Sequence, residues 1–382
     1  MPHRIPARVL MVVSLALAAF AASATGSAAV TRPSASRPNA ISSARAAPVL
    51  SHYETATRAL SRDIGITVVL PDGHDLWIFG DTGISKRNPA GDSVNTGFVD
   101  GSTALEARVI PGQVPHGGEF PLQWPSRLVP PPKDVYLPDG SHRDCVQPDG
   151  YAAFAARWPT GAAVRPGNTS ELLVTYSEVC VTEPPGSGPQ VRTEGWGYML
   201  YDWRARRIAL GPIDVFRPHA NGSALAPSHV FGWPVFVGGH VTLFSSSCTT
   251  QFLTCAGGHV WSATTTTLSK PGSYHPIAMS TDGTAPWEPM SISVGKYGNA
   301  MRLIESTSIG GDYRIFGTPK LGVRWHLIHS GTLPDCVPNS VGYCHGIEGH
   351  PELSTPSQLL ISYKDPNSGP GGHLVVSTVG LK

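Results

Sequence analysis

Charge is scarce in this chain. Asp, Glu, Lys and Arg make up only 14% of its 382 residues, and 28 Lys and Arg stand against 27 Asp and Glu, a net +1. A general nucleic-acid binder needs a basic footprint, so that class is excluded. Long apolar runs are also missing, apart from one at the N-terminus, which excludes a multi-span membrane protein. The glycines show no three-residue period, which excludes collagen. There is no Gly-x-Ser-x-Gly elbow, no His-Glu-x-x-His, no P-loop and no Rossmann fingerprint after a strand. Serine hydrolysis, zinc proteolysis and nucleotide chemistry lose ground accordingly, and carboxylate chemistry remains.

What is abundant is Gly (42) and Pro (36), together about a fifth of the chain, beside 41% hydrophobic residues. That composition suits many short strands joined by tight turns. At the N-terminus, Arg4 and Arg8 precede an apolar stretch from Val9 to Phe20, and Ala22-Ser23-Ala24 fits small-x-small cleavage. Residues 1–24 read as a secretory signal peptide rather than a retained anchor, since Val9–Phe20 is short for a bilayer. Residues 25–50, rich in Ser, Ala, Pro and Arg, read as a disordered leader. The remainder, 51–382, reads as one domain. The protein is expected to be secreted, with no membrane span after cleavage.

Export favours disulfides among the six cysteines. Cys248 and Cys255 flank a short loop, as do Cys336 and Cys344, leaving Cys145 and Cys180. No pair has the spacing of a zinc knuckle.

One pattern recurs five times: a strand, a turn, a returning strand and a third strand. The first runs Asp63–Leu70, turns at Pro71-Asp72-Gly73, returns along Asp75–Gly80 and adds Gly101–Ala107. The later ones turn at Pro166-Gly167-Asn168, at Gly238-Gly239, near Gly298 and near Pro356. The strands are apolar on both faces, as in Ile64–Leu70, which is expected when sheets stack on both sides. Five such sheets predict an all-β, five-bladed β-propeller, with a β-sandwich bearing long loops as the alternative.

Folding each hairpin at its turn delivers acids to one rim. Asp63 falls opposite Asp81, and neighbours across a ladder have β-carbons about 5 Å apart. Asp100 precedes the third strand of the same repeat. Glu178 and Glu305 end returning strands in the second and fourth repeats, and Glu348 and His350 open the fifth. Two carboxylates held together drive one pKa up unless a cation neutralises them. Each residue also has a plainer role. Asp81 can cap its own turn, Asp63 can pair with Arg62, Glu305 can pair with Arg302, and His350 can be a buried structural histidine. Trp77, Trp233 and Trp261 read as blade-packing residues. His345 and Glu348 raise a metal option without settling a ligand set.

The segment Asp75-Leu76-Trp77-Ile78-Phe79-Gly80-Asp81-Thr82, with Asp63-Ile64-Gly65, Gly349-His350-Pro351-Glu352-Leu353 and Ser362-Tyr363, resembles the secreted bacterial domain of unknown function 4185. The resemblance covers about residues 52–382, with insertions at 108–160 and 180–195. It implies kinship in fold with five-bladed propeller glycosidases, some members cutting D-arabinofuranosyl linkages, and it matches Asp63 and Asp81 to the family's acidic positions.

The sequence thus predicts a secreted glycoside hydrolase acting on a furanoside polysaccharide, endo-D-arabinanase-like. Asp63 and Asp81 are the catalytic candidates; Asp100, Glu178, Glu305, Glu348 and His350 are supporting or substrate-binding. No cofactor is required. A monomer with no nucleic-acid partner is expected. The competing expectation is a non-catalytic carbohydrate-binding or cell-surface propeller whose central acids hold a structural calcium ion, which takes six to eight oxygens.

Overall fold

The computed structural model describes residues 47–48, 58–87, 93–99, 101–113, 117–119, 128–132, 153–182, 190–216, 232–248, 255–277, 291–308, 310–338, 343–368 and 373–381. The expected signal peptide, most of the expected leader, Asp100 and Cys145 lie outside the described residues.

The tight turns form where the residue types demand them. Gly238 and Gly239 take φ of 55° and 81°, so a two-residue loop joins Val237 to its partner His240. Positive φ at both positions is the geometry that lets a hairpin keep its natural twist, and glycine adopts it without steric cost. At the first hairpin, Gly73 takes φ of 86° while the Asp72 carboxylate accepts the His74 N–H at 3.1 Å.

These turns generate five four-stranded antiparallel sheets. Blade 1 contains Ile66–Val69, His74–Phe79, Thr103–Arg108 and Gly117–Glu119. Blade 2 contains Ala153–Val164, Glu171–Thr182, Gln190–Asp202 and Arg207–Phe216. Blade 3 contains Trp233–Val237, His240–Cys248, Cys255–Thr264 and His275–Ile277. Blade 4 contains Ser291–Tyr297, Ala300–Ser306, Asp312–Thr318 and His326–Thr332. Blade 5 contains His345–Thr355, Gln358–Asp365 and His373–Gly380, with Ala47–Pro48 as its outermost strand. The first-named strands are innermost and touch in ring order, blade 5 meeting blade 1. The protein is a five-bladed β-propeller.

Strand alternation explains why both faces of each sheet are apolar. In blade 1, Leu76 and Ile78 join one buried cluster with Leu172 and Val174 of blade 2, while Trp77 and Phe79 join another with Leu353, Leu360 and Leu374 of blade 5. In blade 5, Leu360 faces blade 1, whereas Leu359, Ile361 and Tyr363 pack with Ile304 and Ile315 of blade 4. Each fully buried Leu or Ile contributes about 1.5–3 kcal/mol, so the seams hold the ring together. Trp77 and Trp233 pack in these seams, and Trp261 packs partly buried against the blade 2–blade 3 cluster.

Three features differ from the sequence-based outline. Every blade has a fourth strand, and the one completing blade 5 comes from the N-terminal side, within the span expected to be leader. The inner strand of blade 5 begins at His345, not at His350. A separate three-stranded sheet, Arg58–Arg62, Thr82–Arg87 and Ser93–Val99, prolongs the first hairpin beyond the rim.

Cys336 and Cys344 form a disulfide, and Cys180 is disulfide-bonded. Cys248 and Cys255 are backbone partners across the blade 3 hairpin.

Candidate functional site

The site forms where the first hairpin leaves blade 1. Its ladder keeps one register on either side of a break, Ile66 opposite Ile78 and Arg62 opposite Thr82. Within the break, the Asp63 N–H donates to Asp81 O at 2.9 Å and the Gly80 N–H donates to Asp63 O at 2.7 Å. Asp63 and Asp81 therefore face one another, as folding at Asp72 requires. The next residue, Ile64, has φ of 56°. A β-branched residue in the left-handed region is strained, at a cost of order 1–3 kcal/mol, and such strain persists only where the surroundings enforce it. Gly346, itself at φ 63°, leaves the room: a β-carbon there would lie 3.2 Å from Ile64 Cγ1.

Blade 5 supplies the cations. Lys364 Nζ lies 2.8 Å from Asp63 Oδ1 and also donates to Ser61 Oγ at 2.9 Å and to the Arg62 carbonyl at 3.4 Å. All three ammonium donors are thus directed at the Asp63 run. His345 is the backbone partner of Lys364 and brings its Nε2 to 3.5 Å from Asp63 Oδ2. Its Nδ1–H donates to the Tyr343 carbonyl at 2.8 Å, which fixes the ring. The Cys336–Cys344 bond anchors the segment carrying Tyr343 and His345. From blade 2, the Trp158 indole N–H donates to Asp81 Oδ1 at 2.8 Å.

These environments push the two acids apart. Burial pulls the Asp63 carboxyl up, but the Lys364 ammonium and His345 outweigh it and hold Asp63 well below the usual carboxylate range. Burial, then the charge of Asp63, pushes Asp81 up to about 6, against the Trp158 hydrogen bond. Burial depresses His345, but the Asp63 carboxylate and the Tyr343 carbonyl raise it overall. Near pH 5 the rim therefore holds an ionised Asp63 beside a protonated Asp81. Asp63 keeps 27% of its side chain exposed and Asp81 is half-buried, so the pair is reachable from solvent.

The other predicted residues that the structure describes engage protein partners. Glu178 pairs with Arg157 at 3.2 Å within blade 2. Glu305, fully buried, pairs with Arg314 rather than Arg302. Glu348 is buried against Ser293, and burial drives its carboxyl well up. His350 is fully buried between Thr67 Oγ1 at 2.9 Å and Ser362 Oγ at 2.8 Å, stacked on Trp77 at 4.6 Å. Burial pushes this ring down to about 3, so it is neutral. It has the plainer, structural environment considered for it.

Lys364 and Trp158 are the residues that sequence reasoning missed. A lysine ending a strand reads as solvent-facing, and nothing local distinguishes Trp158 from a packing tryptophan. Asp63 has Lys364 as its counter-charge and His345 beside it. Among the described residues no group of three or more His, Cys, Asp or Glu is arranged to hold a metal.

No family model and no curated sequence matches the chain. Among solved structures, it is similar to a candidate hydrolase from Bacteroides ovatus ATCC 8483, with 15% identity and a TM-score of 0.51 over 83% of this chain and 85% of that one. It is also similar to a GH43_1 enzyme from Xanthomonas citri complexed with xylotriose, with 12% identity and a TM-score of 0.48 over 88% and 90%. A third is a family 117 glycoside hydrolase from the marine bacterium Zobellia galactanivorans, with 11% identity and a TM-score of 0.48 over 87% and 88%. At these identities the likeness is one of fold.

Proposed function

We propose that the protein is a secreted glycoside hydrolase that cleaves a furanoside polysaccharide, with D-arabinan as the first substrate to test. The observation that carries this reading is the facing pair Asp63 and Asp81, whose surroundings give one carboxyl a low pKa and the other a high one. Glycoside hydrolysis in most families uses such a pair, one group acting as nucleophile or base and the other as proton donor. Asp63, ionised by Lys364, is the nucleophile or base. Asp81, protonated up to about pH 6, is the acid. The arabinan choice comes from the resemblance carried by Asp75–Thr82, and the structural likeness to a candidate hydrolase is consistent with hydrolysis.

The test is incubation of the secreted protein with purified arabinogalactan and with plant arabinan, watching for released oligosaccharides. Asp63→Asn and Asp81→Asn should each reduce release by about a hundred- to ten-thousand-fold, the range for loss of acid–base assistance. The rate should fall as pH rises through about 6, where Asp81 gives up its proton. Undiminished turnover in either variant removes that residue from the site. Binding of the polysaccharide without cleavage would favour a carbohydrate-binding propeller.

A further inference from the structure

We infer that Trp158 is a positioning residue for Asp81, its indole N–H reaching across the blade 1–blade 2 seam to hold the carboxyl and govern when it carries its proton. The inference deepens the reading of Asp81 given above by assigning blade 2 a part in the site.

Arg157 and Trp158 are consecutive in blade 2's inner strand, and both reach toward blade 1: Trp158 to Asp81, and Arg157 to the Pro131 carbonyl of the segment that Ser102 binds at Val129. Arg157 is locked from several sides. Its Nε donates to Glu178 Oε2 at 3.2 Å, from the residue directly opposite in the ladder. One Nη donates to the Pro131 carbonyl at 3.3 Å, and the other to Asp214 Oδ1 at 3.5 Å. The guanidinium sits 5.2 Å from the Tyr176 ring centroid, and the Tyr176 hydroxyl donates to the same Asp214 oxygen at 2.8 Å. Arg157 is 8% exposed, so these bonds act away from bulk water. A strand held in place at Arg157 fixes where the next residue, Trp158, leaves it. Glu178, one of the predicted supporting acids, thereby serves Asp81 at one remove.

The indole N–H can only donate, so the bond at 2.8 Å favours the ionised form of Asp81. The charged groups facing Asp81 are Asp63 from the same hairpin, which opposes ionisation, and Lys364 and His345 from blade 5, which favour it. Both cations are placed against Asp63. Trp158 is the donor aimed at Asp81 itself.

The test is Trp158→Phe in the full chain, which keeps an aromatic ring and removes the donor, with aspartate carboxyls labelled with carbon-13. The Asp81 midpoint should rise by about one pH unit, and the falling alkaline limb of kcat/KM should move up with it. In the unsubstituted protein the Trp158 indole N–H resonance should titrate with the Asp81 midpoint and become independent of pH in Asp81→Asn. That second measurement decides the matter even if Trp158→Phe does not fold. An Asp81 midpoint unchanged in folded Trp158→Phe, or an indole resonance silent to pH, overturns the inference. Should the protein hydrolyse no polysaccharide, the reading of the site as catalytic fails, while both titrations still decide the role of Trp158.

Discussion

Asp63 and Asp81 are one pair by position and two different residues by environment, and their amide variants should diverge in stability as well as in rate. Asp63→Asn leaves the Lys364 ammonium, which is 10% exposed, without its counter-charge. The loss should lie between that of an exposed ion pair and that of a buried one, about 1–3 kcal/mol, and appear as a lower melting temperature. Asp81→Asn instead removes a carboxylate that burial and Asp63 both disfavour. At pH 7 its melting temperature should stay level or rise. From sequence alone, loss of either carboxylate is expected to cost little unless a cation sits between them; Lys364 sits against Asp63, so the Asp63 variant bears the cost. The acids themselves were legible because a three-residue turn fixes which positions face. Lys364 was not, since its importance comes from a contact between residues about three hundred positions apart, and no local pattern encodes that. The strained Ile64 was equally invisible, because an isoleucine in a strand-like run gives no sign of positive φ.

At the scale of the strand, turn chemistry and two-sided hydrophobicity were enough to locate five hairpins. The edges of elements were less readable. His345-Gly346-Ile347-Glu348-Gly349, ahead of His350, is inner strand despite its two glycines. Those glycines are there for clearance: a β-carbon on Gly349 would lie 2.2 Å from the Tyr297 hydroxyl and 2.3 Å from Ile304 Cδ1. The same applies where blade 2 meets blade 3, since a β-carbon on Gly161 would lie 2.9 Å from the Trp233 backbone and 2.6 Å from the Pro234 ring. Gly161→Ala must push the two inner strands apart, and overpacking of this kind costs about 1–3 kcal/mol. Differential scanning calorimetry should show a lower melting temperature for Gly161→Ala and no change for Gly272→Ala, where a β-carbon meets nothing within 4 Å. Equal effects would show that the inner strands have slack. The side sheet from Arg58 to Val99 escaped notice because its strands run through Asn, Gly and Ser, which read as connection.

Across the whole ring, buried carboxyls make stability depend on pH with a definite sign. In the blade 5–blade 1 seam, Asp75 is fully buried and burial raises its carboxyl to about 7, while burial and the neighbouring Asp75 drive Glu352 well up. Asp81 and Glu348 shift the same way. Groups raised in the folded state bind more protons there than in the unfolded chain, so stability falls as pH rises from about 4 through 7. Asp63 works oppositely: its contribution is present above the ordinary carboxylate range and is lost as pH falls below about 4. Melting temperature should therefore peak on the acid side of neutrality, and Asp75→Asn should flatten the alkaline decline. A curve that climbs from pH 5 to 8 would contradict this account. Export belongs to this scale too. If the signal reading holds, the secreted chain should begin near Thr25, and its cysteines should resist alkylation without reductant; intact-mass analysis showing Met1 or added label would count against both.

Blade 5 takes strands from both ends of the chain, and it also hands His345 and Lys364 to the acids of blade 1. Order of synthesis therefore becomes order of activation. Asp63 and Asp81 are made early, but the lysine that keeps Asp63 ionised follows them by about three hundred residues. Until blade 5 is made and meets blade 1, the ring is an open arc with an unassembled rim.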